Sequence, residues 1–462
     1  MPEESTQPIA PAEATPAAAA TINEETNKRK NRGQTSKERR EHARKRIMIR
    51  NQERQKEEEQ PRERSESSEP RRPKRKVALL IGFCGSGYQG MQVNPNAKTI
   101  EGELFKALCQ AGAVSAENST DQGKIQLQRA ARTDKGVHAA GQVVSLKMIV
   151  EEPDIISKLN KHLPAQIRAW DFVRVVRSFN AKTACDSRVY EYMLPTYVFM
   201  PPSEKCMEVA KNVKFDERQV PETTEEEIRA KREYRVSAEM LEYVRKAFEK
   251  YQGTHDYRNF TVTKGCTANN SKRHIHWFTV SDPMIIQGCE WLSLKVKGQS
   301  FMLHQIRKMV GLIILMARTN VPLRLIDVIF DCARINVPKA PGLGLLLERP
   351  VFDGYNRRVS SQKLATSNQV TFEPYQKEID AFKQKYIYDN ITETEMKEAV
   401  FDIWVKNTEV FPEQYLYINQ DCVIPESTLV VPGEESIRPP PQSIGKDKDA
   451  LSSEDEEDTK DD

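Results

Sequence analysis

Large apolar side chains are almost missing from residues 1–76, where Ile9, Ile22, Ile47, Met48 and Ile49 are nearly all there are. The pattern changes abruptly at VALLIGF (77–83), an unbroken apolar run of strand length that predicts a buried strand. A Gly-rich turn follows. TIEGELFKALCQAG (99–112) then puts Ile100, Leu104, Ala107, Leu108 and Ala111 on one helical face. QLQRAARTDKGVHAAGQVVSLKMI (126–149) reads strand, loop, strand, with Thr-Asp-Lys-Gly at the tip. A helix over 154–163 and strands over 167–176 and 188–194 complete a first α/β set. A looser version of the same plan recurs after residue 237. There SAEMLEYVRKAFEKY (237–251) is an amphipathic helix, 277–298 reads as two strands, and SFMLHQIRKMVGLIILMAR (300–318) is the most apolar helix of the chain.

Two α/β lobes of comparable plan, dividing near residue 180, are therefore expected. The N-terminal lobe spans 77–180 and the C-terminal lobe 181–356, the latter carrying a charged, helix-prone insertion at about 203–235. A helical extension over 357–432 follows, its helical stretch at about 374–405. Residues 433–462 end in the acidic SSEDEEDTKDD and are expected to be disordered.

Composition changes the picture at the ends of the chain. A hydrophobic fraction of 38% against 30% charged residues, with a mean hydropathy of −0.66, implies a real core diluted by polar segments. The net charge of +3 hides an asymmetry, since residues 1–76 hold 20 Lys and Arg against 14 Glu. Such a segment cannot bury enough surface to offset its ordering entropy and is expected to be disordered. Its stretch 28–50 has 11 basic and two acidic residues, which suits a nuclear localisation signal or a phosphate-binding arm as well as a solvated tail. The longest apolar run, Met309–Ala317, is nine residues, far short of the roughly 20 that span a bilayer. The eight cysteines are scattered without a C-x-x-C pair, so a disulfide framework or a structural zinc site of the usual spacing is not expected. The expectation is a soluble protein of a reducing, intracellular compartment.

GFCGSGYQG (82–90) follows a strand with Gly85-x-Gly87-x-x-Gly90, the outline of a dinucleotide fingerprint. That fingerprint needs a helix N-terminus at the third glycine. MQVNPNAK follows instead, and Pro95 with two Asn forbids an immediate helix, so a tight turn is the better reading. AARTDKGVHAAGQVV (130–144) is the densest chemical segment: Asp134 sits on a turn flanked by Arg132, Lys135 and His138. Asp in such a turn is ordinary Asx chemistry. With cations about it, the same carboxylate is held ionised and aimed, as a nucleophile or general base requires. His274 and His276 lack acidic or Cys partners in sequence and make a weak metal site.

Five segments in order resemble the TruA-type tRNA pseudouridine synthases, in the eukaryotic pseudouridine synthase 1 branch. They are GFCGSGYQGMQ (with Met91 where bacterial members usually have Trp), ARTDKGVHAAGQ, SFNAKTACDSRVYEYML (178–194), GTHDYRNFT (253–261) and GQSFMLHQIRKMVG (298–311). APGLGLLLERPVFDGYN (340–356) is similar to that branch too, and the resemblance covers residues 77–356.

The resemblance implies an α+β fold of two RRM-like subdomains joined through a common antiparallel sheet, with the catalytic cleft between them. It makes Asp134 the essential carboxylate, attacking the sugar or the uracil ring. Tyr190 lies against the target base with a share in removing the proton from ring carbon 5, and Arg307 pairs with Asp134. Arg132, Lys135, His138, Tyr192 and His304 fall to substrate binding, although His304 also reads as a satisfied core histidine. Tyr190 and Tyr192 share a strand face by period-2 geometry, and His304 and Arg307, three apart, would share a helical face. No metal or organic cofactor is implied. The implied substrate is tRNA, with snRNA and mRNA as further ones, and the target base must be flipped out of its helix. A nuclear location, with mitochondrial or cytoplasmic pools, and a monomeric state complete the expectations. Two other classes compete: a non-catalytic RNA-binding pair of lobes, and an N-glycoside hydrolase, which commonly needs a second carboxylate that this motif lacks.

Overall fold

The apolar run at 77–83 is the buried part of strand β1 (Lys74–Phe83) in the computed structural model, which describes residues 72–94, 96–263, 270–362 and 367–430. The strand starts three residues before that run: Lys74 pairs with Ile149, and Arg75 lies 3.5 Å from Glu151. The basic residues Lys74, Arg75 and Lys76, expected to belong to the disordered tail, thus contribute to the sheet. The rest of the basic tail, residues 1–71, and the acidic tail from 431 lie outside the described residues.

The remaining strands are β2 (Gln128–Arg129), β3 (His138–Ile149), β4 (Ile167–Arg174), β5 (Ser187–Pro195), β6 (Gly253–Asp256), β7 (Lys272–Val280), β8 (Met284–Ile286), β9 (Cys289–Gly298) and β10 (Leu345–Val351). They form one sheet in the order β4-β1-β3-β10-β5-β9-β7-β6, with β2 beside β3 and β8 beside β9. The first three strands belong to the N-terminal lobe and the last four to the C-terminal lobe. The late strand β10 joins them, so the two lobes share a sheet as expected. It pairs antiparallel with β5 but parallel with β3 (Leu346 opposite His138), which makes the sheet mixed at its seam rather than wholly antiparallel.

Helices α1 (Ile100–Gln110) and α2 (Ile155–His162) pack together in the first lobe. The charged insertion forms α3 (Glu204–Asn212) and α4 (Glu225–Glu233). In the second lobe α5 (Ala238–Glu249) packs on β7 and on α6 (Gln305–Thr319). Every residue of α6 except Arg307, Arg318 and Thr319 is buried, as its all-round apolar sequence requires. The helix begins at Gln305, five residues later than the apolar pattern suggests, because His304 adopts a left-handed conformation (φ 59°) that the helical ladder cannot include.

After α7 (Arg324–Asp331) and β10 come α8 (Asp353–Gln362) and α9 (Gln376–Phe382), a π-helical turn over Lys383–Tyr388, then α10 (Asp389–Glu398) and α11 (Val400–Val410). The insertion and this extension dock on one another. Arg218 donates to Val410 O at 3.0 Å and to Glu413 at 2.7 Å, Lys231 reaches Asp402 at 2.6 Å, and Lys406 reaches Glu227 at 2.9 Å. Among the described residues no helix is long and apolar enough to cross a membrane.

Candidate active site

Asp134 stands on the loop between β2 and β3, and the base of that loop is bonded at every backbone group. Ala130 N donates to Val143 O at 2.9 Å, and Ala130 O accepts from Arg188 Nη2 at 2.7 Å. The buried Gln142 side chain accepts from Ala131 N at 3.3 Å and donates to Ala131 O at 2.8 Å. At the tip Val137 N donates to Asp134 O at 3.2 Å, closing the expected turn with Gly136 at φ +75°. The Asp134 side chain keeps 34% of its surface exposed.

The Gly-rich segment 84–91 cradles this loop instead of a phosphate. Met91 N donates to Thr133 O at 3.1 Å and Gly136 N to Tyr88 O at 3.3 Å. A Cβ on Gly85 would lie 2.2 Å from Val137 O, and one on Gly90, whose φ is +106°, 2.8 Å from Thr133 O. Both glycines are thus required by the close approach of one backbone to another. Gly90→Ala is expected to leave the chain folded but to lower turnover by about 10- to 100-fold, since a displacement near 1 Å at the reacting group costs that much. Melting curves and steady-state rates on the same preparation check it.

Strand β5 supplies the opposite wall. Arg188, Tyr190 and Tyr192 alternate onto one face, as period-2 geometry demands. Tyr190 is buried and meets Phe301 edge-on at 5.2 Å between ring centroids. Burial, with the Asp134 charge adding and the Arg188 charge opposing, pushes its phenol up to about 12. Tyr192 donates to Pro341 O at 2.6 Å, and burial raises its phenol as well. Arg307, in the first turn of α6, turns its Nε to Ala340 O at 2.7 Å and lies against Gly342. His304 Nε2 is 3.8 Å from Asp134 Oδ2, beyond hydrogen-bond reach. Burial and the charges of Lys339, Arg307 and Lys308 hold that imidazole down at about 2, so it is a neutral neighbour of Asp134 and not an ion-pair partner.

A tRNA pseudouridine synthase family model matches residues 247–353. The tRNA pseudouridine synthase 1 of Yarrowia lipolytica is 41% identical over 403 residues, covering 75% of this chain and 76% of its own. That of Schizosaccharomyces pombe is 36% identical over 500 aligned positions, covering 84% and 91%. The chain belongs to the tRNA pseudouridine synthase family. A mammalian relative, the pseudouridylate synthase 1 homolog of Mus musculus, is 41% identical over 350 residues, 75% of this chain and 77% of its own.

In this member of the tRNA pseudouridine synthase family, the residues read from sequence divide three ways. Asp134, Tyr190 and His304 come together, with Arg307 beside Tyr192 and His304. Arg132 is exposed and Lys135 half-buried on the Asp134 loop. His138 has no exposed surface, and its Nδ1 accepts from Gly85 N at 3.1 Å, bracing the Gly-rich cradle. His304 departs from its expected face, as the left-handed residue before α6 and not a member of the Arg307 face. Sequence reasoning passed over Arg188 and Phe301, although Arg188 stands two residues before Tyr190 in the quoted segment. Two surface clefts of about 550 and 400 Å³ flank α8; none of the site residues lines either, so cleft size does not locate the chemistry.

Burial holds His138 down at about 4, and the nearby Leu343 backbone only partly opposes this. Unfolded, the same imidazole takes up its proton near 6.5, so the unfolded state binds more protons between these values and stability falls as pH drops from about 6.5 to 4. His138→Asn keeps an acceptor close to the Nδ1 position and cannot titrate. It is expected to make this acid limb shallower by about 1 kcal/mol per pH unit, read from urea midpoints at pH 7 and 4.5.

Proposed function

We propose that this chain converts uridine to pseudouridine in tRNA, with Asp134 as the attacking carboxylate. The observation that carries this reading is a part-exposed carboxylate on a loop whose base is bonded at every backbone group, close to a buried tyrosine and to the start of the helix that bears Arg307. In the isomerisation the C1′–N1 bond breaks, uracil turns, and a C1′–C5 bond forms. The proton on C5 leaves and N1 gains one, so nothing is oxidised or reduced. Asp134 attacks either C1′ or the ring and is regenerated. Tyr190, with a phenol near 12, acts as a protonated wall against the flipped base and not as a phenolate. The RNA is gripped chiefly through its phosphates and shape.

We infer that the basic stretch 28–50 directs the chain to the nucleus, where snRNA and mRNA uridines join those of tRNA as substrates, and that it acts as a monomer. Removing residues 1–71 is expected to spare the isomerisation and to lower nuclear accumulation. The test of the whole reading is tritium release from unmodified tRNA labelled at carbon 5 of uridine. Release with pseudouridine in the digested RNA supports it. Bound tRNA without release points to a non-catalytic RNA-binding protein, and free uracil in the supernatant points to a hydrolase.

A further inference from the structure

We propose that Arg188 is a positioning residue of the isomerisation, holding the two walls of the site in register; this rests on the reading of the chain as a synthase. Its guanidinium sits half-buried on β5, two residues before Tyr190 and on the same face. Nη2 donates to Ala130 O at 2.7 Å, the base of the Asp134 loop. Nη1 donates to Gln299 O at 3.3 Å, where β9 gives way to the segment carrying Phe301 and His304. One planar fork thus ties together three pieces of backbone that meet at the site. They are the loop with Asp134, the strand with Tyr190, and the segment that presses Phe301 on Tyr190 and brings His304 to 3.8 Å from Asp134.

The chemistry of the group suits this role. A guanidinium offers donors diverging at fixed angles, and two carbonyls on different segments need such a fork. Three of the four backbone groups at Ala130 and Ala131 are held from within the first lobe, by Val143 and Gln142; Arg188 holds the fourth from the second lobe. Its charge also opposes the rise of the Tyr190 phenol, which agrees with its closeness to that ring. Arg188 reaches the reacting groups only through the residues it holds, so its removal is expected to alter chemistry more than tRNA capture.

The test compares wild type, Arg188→Met and Arg188→Lys in saturating tRNA, with amide hydrogen exchange on the free proteins. Arg188→Met is expected to lose about 100-fold in kcat with KM for tRNA within threefold, and to exchange faster at amides 131–137 while β1 keeps its protection. Arg188→Lys, able to serve one carbonyl at a time, is expected to recover about 10-fold of that loss. A kcat within threefold of wild type in folded Arg188→Met overturns the proposal, as does a loss confined to KM or unchanged exchange over 131–137. If Arg188→Met does not fold, full kcat and unchanged exchange in Arg188→Lys overturn it. A wild type that releases no tritium defeats the synthase reading itself, and is seen before any variant is compared.

Discussion

Asp134→Asn is expected to abolish pseudouridine formation, with turnover down at least about 10⁴-fold, as when an essential nucleophile is removed from a site left otherwise intact. The substitution is nearly isosteric, and the backbone of the loop is held by bonds of its own. Its turn is closed by Asp134 O, its base is held at Ala130 and Ala131, and its tip is braced by Met91 and Tyr88. An amide therefore replaces the charge without moving the backbone. A neutral amide is a far weaker nucleophile than a carboxylate, whether the attack is on C1′ or on the ring. Affinity for tRNA should stay within about threefold, because phosphate contacts dominate the grip on RNA. Removing the negative charge should also bring the Tyr190 phenol below its present value near 12, since that charge adds to the effect of burial. Tritium release and filter binding on one preparation check both halves. Measurable turnover by the amide variant would defeat the assignment of Asp134.

Much of this arrangement was legible in the chain because it is local. Alternation along SRVYEYMLP places Tyr190 and Tyr192 on one face whatever the strand pairs with, and Thr-Asp-Lys-Gly specifies a turn from its own residue types. The Gly-rich segment was recognisable as a turn because Pro95 excluded a helix, but not as the cradle of Asp134, since the Val137 and Thr133 carbonyls that demand Gly85 and Gly90 lie more than 40 residues away. His138 read as chemistry because it stands in the motif; its burial depends on β3 lying beside β10, a parallel pairing between strands some 200 residues apart that no local pattern encodes. The start of α6 was misplaced for a related reason. Apolar spacing continues smoothly from Phe301 through Leu315, and no Gly or Pro marks the left-handed turn at His304 that points its ring at Asp134. Most hidden of all was the back of β5, where Glu191 stands between the two site tyrosines.

Lys383→Met is expected to destabilise the folded chain by about 3–5 kcal/mol, the usual cost of stripping the partner from a buried charge. Register puts Leu346 of β10 opposite Glu191 of β5, so Glu348 lies one step along the same sheet face as Glu191. Lys383, delivered by the π-helical turn of the extension, donates to Glu191 Oε2 at 2.8 Å and to Glu348 Oε2 at 2.7 Å. Tyr388 adds bonds to both Glu191 oxygens at 2.9 and 3.0 Å, and Ser293 donates to Oε1. The side chains of Lys383, Glu191 and Glu348 are 4%, 1% and 9% exposed. Burial pushes the Glu191 carboxyl up, but Lys383 and Lys295 outweigh it and leave it below the usual range. Burial likewise presses Lys383 down, and the two glutamates more than reverse this. In the wild type, Glu191 therefore contributes stability that is present above its unfolded pKa and lost as pH falls through the lowered folded value. Without the ammonium, burial should outweigh what Lys295, Ser293 and Tyr388 still supply, so the carboxyl pKa rises above its unfolded value and acid should favour the folded variant. The gap between wild type and Lys383→Met should accordingly narrow from pH 7.5 to pH 5. Adding Glu191→Gln and Glu348→Gln to Lys383→Met should recover stability, because neutral amides no longer need the lysine. Denaturant midpoints at the two pH values decide the matter: a variant within 1 kcal/mol of wild type at pH 7.5, or a gap that widens in acid, would show that the extension is not anchored to the catalytic sheet by this lysine.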